Sequence, residues 1–292
     1  MKKKVLITGV AGFIGSYISK RFLEEGYYVY GIDDLSTGKI SNIPKKVDFI
    51  NYDLSKKNLS KKIDKKIQYI LHLAGQSSGE ISFENPMDDL KKNTISTLNL
   101  INCSKNLKLK KFLYASSMSV YGDHRIQPVK ENFELIPNSC YGISKIASEK
   151  YLNVFKNKVP YLNMRMFNVY GPGQNMLNLK QGMISIYLAQ ALTQKKIMVK
   201  GSLKRFRDFI YIDDVVDIWF KACFIKEKNL CLNIGSGKKT YVKSVLDILK
   251  QELKINYTVG NSTPGDQFGI YADISKLKKI LKNIQFTKLS IG

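Results

Sequence analysis

Hydrophobic and polar positions divide the chain into two rhythms. Up to residue 166, short apolar runs alternate with stretches whose apolar residues recur at helical spacing, the pattern of a strand–helix–strand chain. Strands are expected at 5–8, 27–32, 47–51, 67–73, 111–115 and 161–166. Phe13, Ile14, Tyr17, Ile18, Phe22 and Leu23 define a helix over 13–25 that Gly26 stops. Pro86 opens another of roughly twenty residues, with Leu90, Ile95, Leu98 and Ile101 among its buried positions. Lysine-rich residues 56–66 suggest a short exposed helix. After Pro172 the rhythm breaks: helices are expected near 181–194, 213–225 and 241–253, with strands near 197–200, 208–212 and 230–234.

The first strand runs into glycines at 9, 12 and 15 and then into a helix. Gly9 permits the turn, Gly12 lets backbone approach a pyrophosphate, and Gly15 lets helix and strand pack closely. The helix N-terminus offers N–H groups to an anion. Asp33 ends the second strand 18 residues beyond Gly15, where a carboxylate accepts bonds from ribose hydroxyls and repels a 2′-phosphate. Dinucleotide binding follows, with NAD expected over NADP. Leu73-Ala74-Gly75-Gln76 ends the fourth strand with small residues that let backbone lie against a cofactor, while His72 reads as a packed core histidine. The fold class is α/β: a Rossmann-type doubly wound parallel sheet in residues 1–168, which bind NAD. A smaller C-terminal α/β substrate-binding domain occupies 169–292, and about 205–235 is expected to return to the main domain.

A second constellation lies downstream. Tyr141 and Lys145 are four apart at the start of a predicted helix, so they share a face. They follow Ser117, at the end of the fifth strand, by 24 and 28 residues. Tyr141 is the candidate base, Lys145 its electrostatic support and Ser117 the group that orients the same proton. A free phenol titrates near 10, and lowering it to about 7 takes roughly 4 kcal/mol. A lysine ammonium about 5 Å away contributes roughly 3 kcal/mol at an effective dielectric of 20.

Composition changes this picture little. The formal charge of +23 comes almost wholly from lysine, since Arg21, Arg125, Arg165, Arg205 and Arg207 are the only arginines among 47 basic residues. The lysines are scattered over helix and loop positions, so a solvated surface is expected and no nucleic-acid partner. No stretch is long and apolar enough to span a membrane. Cys103, Cys140, Cys223 and Cys231 form no Cys-x-x-Cys and there are only two histidines, so neither a metal site nor a disulfide framework is expected, and a reducing cytoplasm fits.

Thr-Gly-x-x-Gly-x-x-Gly, with Gly12-Phe13-Ile14-Gly15, resembles the extended short-chain dehydrogenase/reductase superfamily. The whole chain is similar to its NAD-dependent epimerase/dehydratases, with the nearest likeness to UDP-glucose 4-epimerase-like enzymes. The resemblance implies that Asp34, Leu35, Ser36, Thr37 and Gly38 wrap adenosine, that Asp53, with Leu54 beside it, bonds the adenine, and that Ser77 faces the sugar. It further implies that Asn93 supports the active site, Asn168 and Arg207 meet the substrate's sugar and diphosphate, and Asp266 lies beside its nucleoside. It also implies a homodimer through the helices near 86–105 and 141–156. Two positions depart from or bear on that pattern. Thr263 stands where relatives often carry Arg, and Ile270 falls where epimerases limit the size of the sugar's C2 substituent.

The reaction is narrowed by what is missing. A 4,6-dehydratase of this kind carries Asp-Glu where this chain has Met118-Ser119, and a UDP-glucuronate decarboxylase usually has Glu in the same segment. A 4-epimerase needs only the Ser, Tyr and Lys and room for a keto-sugar to turn. A nucleotide-sugar reductase or dehydrogenase, or a non-catalytic NAD-binding regulator, stays open, as do the nucleotide and the choice between hexose and N-acetylhexosamine.

Overall fold

The structure, a computed structural model, describes residues 2–262, 265 and 267–292. In chain order the first half contains β1 (Lys4–Thr8), α1 (Phe13–Glu24), β2 (Tyr28–Asp33), β3 (Asp48–Asn51), β4 (Tyr69–His72), α2 (Gly79–Glu84), α3 (Pro86–Leu90), α4 (Ser96–Ser104), β5 (Lys111–Ser117), α5 (Cys140–Val154) and β6 (Tyr161–Met166). The second half contains β7 (Asn168–Tyr170), α6 (Met183–Gln194), β8 (Lys196–Lys200), β9 (Phe206–Arg207), β10 (Phe209–Tyr211), α7 (Ile212–Ala222), β11 (Leu230–Ile234), β12 (Thr240–Tyr241), α8 (Val242–Glu252), β13 (Asn256–Gly260) and α9 (Ser275–Ile280).

Seven strands form one parallel sheet in the order β11-β6-β5-β4-β1-β2-β3. Its strands are apolar on both faces because both are covered. Val5 and Ile7 of β1, Tyr69 and Leu71 of β4 and Leu113 of β5 face a core shared with Ile18 and Phe22 of α1 and Val215, Ile218 and Trp219 of α7. The alternate residues Leu6, Ile70 and Phe112 face Leu100 and Ile101 of α4 and Leu152 of α5. A third cluster joins α6, β8 and α8 through Tyr187, Ile197, Val199, Val245 and Leu246. The chain leaves β1 toward β2 on one side, whereas β4 lies on the other. The crevice at the carboxyl ends of β1 and β4 is therefore the topological switch point, where open α/β sheets take ligands.

Three local differences from the sequence expectation have physical causes. Residues 56–66 do not form an exposed helix: only a 3₁₀ turn at Leu59–Lys61 appears, and Leu59 and Ile63 turn inward to the core. The helix opened by Pro86 is interrupted by a π turn at Lys91–Ile95 between α3 and α4, which turns Asn93 and Thr94 into the protein and leaves Leu90 and Ile95, expected among the buried positions, exposed. Such turns mark functional positions. Strands β7 and β13 were not anticipated, since each is short and pairs only with a distant strand, β10 and β8 respectively. No helix among the described residues is long and apolar enough to cross a membrane.

Candidate active site

The glycine loop is constrained by its own backbone. Gly9 has φ +73°, and a Cβ there would lie 2.7 Å from Ala74 N. A Cβ on Gly15 would stand 2.0 Å from Gly9 O, so turn and helix touch backbone to backbone. Gly12 is the N-cap of α1, and no side chain caps it. Asp33 is buried at the end of β2, where its Oδ2 accepts from Ala11 N at 3.0 Å and its Oδ1 from Leu35 N at 2.8 Å. Burial pushes its carboxyl up, and the two N–H groups act against that. Asp34 accepts from Ser36 N at 2.9 Å, Leu35 adopts φ +58°, and Gly38 packs on Ala11, so residues 34–38 fold into a rim over the loop with Ser36 and Thr37 exposed. A helix end, a buried carboxylate at the end of β2 and a side-chain-free floor in one crevice fit NAD.

Other cofactor candidates are placed less simply. The Asp53 carboxylate closes a local turn, accepting from Ser55 N at 2.9 Å and from its hydroxyl at 2.8 Å. The Leu54 side chain is buried in the core, so this residue can offer a cofactor only backbone. Leu73 N donates to Thr8 O at 3.2 Å, and Ala74 N to Thr8 Oγ1 at 3.2 Å. The Gln76 amide turns inward to Ser78 and Asp89 rather than toward the crevice.

His72 occupies the core position expected of it. Its Nδ1 lies 2.7 Å from Thr8 Oγ1 and its Nε2 2.9 Å from Thr97 Oγ1. Thr97 donates its one hydrogen to Asn93 O at 2.5 Å, so His72 Nε2 carries the proton and Nδ1 accepts from Thr8. Burial, and secondarily Lys145, hold the ring down to about 3, hence neutral. It braces β1, the Ala74 turn and the π turn without reaching the cleft.

The last residues of β5 meet one face of α5. Ser139 caps that helix, its Oγ accepting from Gly142 N at 3.2 Å. Lys145 Nζ donates to Ala115 O at 2.9 Å and stands 5.5 Å from the Tyr141 ring centroid. One turn further, Glu149 accepts from Ser116 Oγ at 2.5 Å and is gripped by Arg165 at 2.9 and 2.7 Å. The Ser117 hydroxyl donates to Ser119 Oγ at 3.2 Å and accepts from Ser119 N at 3.2 Å, and it lies close enough to Tyr141 to lower that phenol. The electrostatics correct the sequence estimate. Burial dominates at Tyr141 and pushes its phenol up to about 12, with Ser117 acting against it and Asp89 with it. Burial also pushes Lys145 down to about 8, with Asp89 and then Glu149 holding it up. Lys145 alone therefore does not ionise the phenol. NAD, when bound, would supply a hydride acceptor and a positive charge that would favour the ionised phenol.

Beside this trio opens a cavity of about 510 Å³ between the sheet and the α6–β8 region. Ser77, Met118, Ser119, Asn168 and Arg207 line it. Asn168 Nδ2 donates to Asp208 O at 3.1 Å, and Arg207 donates to Gln267 O at 2.7 Å and Phe206 O at 2.8 Å. Both expected substrate contacts are thus buttressed in the wall. Ser117 and Tyr141 adjoin the wall, the first next in sequence to Met118 and the second two residues beyond Ser139. Ile270 does not line the cavity. It is fully buried in the main core, so the expectation that it bounds the sugar is corrected. Asp266 and Thr263 lie outside the described residues. Sequence reasoning missed Arg205, Lys180 and Lys200, all in the wall. Arg205 stands just before β9, two residues from Arg207, which the sequence had singled out.

The glycine-lined crevice at the end of β1 and the Ser–Tyr–Lys cluster together are the arrangement expected of a dinucleotide-dependent enzyme. A model of the "NAD dependent epimerase/dehydratase family" matches residues 5–235, and the chain belongs to that family, whose cofactor is NAD. A putative UDP-glucose 4-epimerase of Methanocaldococcus jannaschii is 35% identical over 94% of this chain and 92% of its own. The UDP-N-acetylglucosamine 4-epimerase structure from Methanobrevibacter ruminantium superposes with a TM-score of 0.93 at 29% identity, covering 99% of this chain and 96% of its own. UDP-glucuronic acid decarboxylase 1 of Xenopus tropicalis is 28% identical over 86% of this chain and 60% of its own.

Proposed function

We propose that this chain is an NAD-dependent nucleotide-sugar 4-epimerase acting on a UDP-hexose or UDP-N-acetylhexosamine through a transient 4-keto sugar. Residues 1–168 hold NAD, and 169–292 supply most of the substrate pocket. Tyr141 takes the proton of the sugar's 4-hydroxyl, Ser117 holds the same oxygen, and Lys145 supports the tyrosinate. NAD, when bound, would supply the acceptor for the C4 hydride and the source of its return; once the keto-sugar has turned to present its other face, Tyr141 gives the proton back to the same oxygen. Ser77, Asn168, Arg207 and Asp266 are the proposed substrate contacts. Arg207 offers a guanidinium fork suited to a diphosphate.

One observation carries the choice of reaction. Dehydration requires an additional acid and base, and among the described residues lining the cavity the only carboxylate is Glu80, which is paired with Lys200 at 3.2 Å. Met118 and Ser119, beside the catalytic serine, cannot replace them. Cofactor accounting tests this reading against the dehydrogenase alternative. With NAD at one-hundredth of the sugar concentration, an epimerase converts the sugar to equilibrium and absorbance at 340 nm stays flat. A dehydrogenase stalls after one equivalent, with NADH accumulated.

A homodimer belongs to the same proposal. Met87 and Leu90 on α3, and Ile143, Tyr151 and Val154 on α5, are exposed apolar residues on adjacent helices. Light scattering should give twice the chain mass of 33.3 kDa. Ile143→Lys with Val154→Lys should shift the protein to monomer, and a monomeric wild type at micromolar concentration would refute the dimer. A cytoplasmic setting is proposed with it, supported by four cysteines that are all unpaired.

A further inference from the structure

Asp89 has no task in the scheme above, yet it is 1% exposed and sits where α3 packs on α5. No basic side chain among the described residues pairs with it at salt-bridge distance. Three neutral donors converge on it instead: Ser144 Oγ at 2.6 Å, Asn93 Nδ2 at 2.9 Å and Gln76 Nε2 at 3.1 Å. Each comes from a different segment: Ser144 from α5, Asn93 from the π turn and Gln76 from the loop after β4. Ser144 directly precedes Lys145 on α5. The other amide atom of Asn93, Oδ1, sits behind Gly75, where a Cβ would lie 2.4 Å from it and 3.6 Å from Lys145 Nζ. Gln76 also bonds Ser78 N and O, fixing the loop that carries Ser77 into the cavity. A buried carboxylate is costly without compensating charge and hydrogen bonds.

We propose that Asp89 is a positioning residue for the Tyr141–Lys145 pair, a buried counter-charge that faces Lys145 across the α3–α5 interface and ties the Gln76–Ser78 loop to the catalytic helix. The inference rests on the proposed role of that pair. Lys145 is faced by Tyr141 and Glu149 from its own helix, by Tyr114 of β5 with its ring centroid at 5.1 Å, by His72 of β4 and by Asp89 of α3. Glu149 is already neutralised by Arg165, and His72 is uncharged. Asp88, the acid beside Asp89, is part-exposed and pairs with Lys92 at 3.6 Å. Asp89 is thus the negative charge left to balance Lys145. Burial pushes the Asp89 carboxyl up, while Ser144, Lys145 and Asn93 hold it down. Asp89 raises both Tyr141 and Lys145, so its removal lowers both.

Asp89→Asn is the test, since it keeps the size and most of the hydrogen bonds. Both limbs of kcat/KM against pH should move to lower pH by about one unit. Ser144→Ala, which removes a hydrogen bond but no charge, should leave the limbs in place. A second readout needs no turnover. The tyrosinate absorbance at 295 nm of the NAD-bound protein, less that of Tyr141→Phe, should titrate at lower pH in Asp89→Asn. Loss of the epimerase reading would thus leave this inference testable. Asp89→Ser replaces Asp89→Asn if the latter does not fold, with the same shift expected. Profiles that superimpose on wild type, or an equal shift in Ser144→Ala, would overturn the proposal.

Discussion

Tyr141→Phe should lower turnover by at least about a thousandfold and leave NAD affinity within about threefold of wild type. The ring is retained, so the packing of the first turn of α5 under the Ser139 cap is retained as well. Only the hydroxyl proposed to accept and return the proton is lost, and a positioned acid–base group contributes roughly 10²–10⁴-fold. The effect should sit near the top of that range because the described cavity wall offers no replacement. Its carboxylate, Glu80, is tied to Lys200, and His72 is neutral and locked between Thr8 and Thr97. Steady-state rates together with a calorimetric NAD titration check both halves. A variant that keeps full activity would remove Tyr141 from the chemistry. One that loses NAD as well would make the residue structural.

The second large effect belongs to Gly15→Ala. A single methyl would stand 2.0 Å from Gly9 O, 2.8 Å from Gly9 C and 3.2 Å from Val10 Cα. All three are backbone atoms of the turn, so no side chain can swing away. Either α1 or the turn must shift, and overpacking of this kind costs about 1–3 kcal/mol of stability. The functional loss should be larger, because the same turn places Ala11 N on Asp33 and presents the α1 N-terminus at the proposed pyrophosphate site. NAD affinity should fall by about a hundredfold or more, measured by the same titration, with a lower melting temperature in the absence of cofactor. Unchanged NAD affinity would mean that the loop is not the phosphate site.

These two residues also show what the sequence carried openly. Gly15 was legible because glycines at that spacing, between a strand and a helix, are what a phosphate-binding turn requires. The parallel sheet was legible because its apolar runs alternate with helical periods. Tyr141 and Lys145 were legible from their spacing. Their electrostatics were not, since the rise at Tyr141 and the fall at Lys145 come from burial that only the packed helix creates. Distant pairings were hidden for a related reason. Strand β13 depends on β8, some sixty residues earlier in the chain, and has only a half-buried pattern of its own. Ile270 looked like a pocket residue by position, but the core took it. Asp89 was one of two acids in the first turn of α3, and only the packing of the π turn, α5 and the loop after β4 brings its three donors together.

The most direct test of the central claim is proton NMR of the purified protein with catalytic NAD and a panel of UDP-glucose, UDP-galactose and their N-acetyl forms. The account predicts that one pair interconverts at C4 with no net NADH, which would also identify the sugar. No C4 epimer from any of the four, with NAD demonstrably bound, would contradict it.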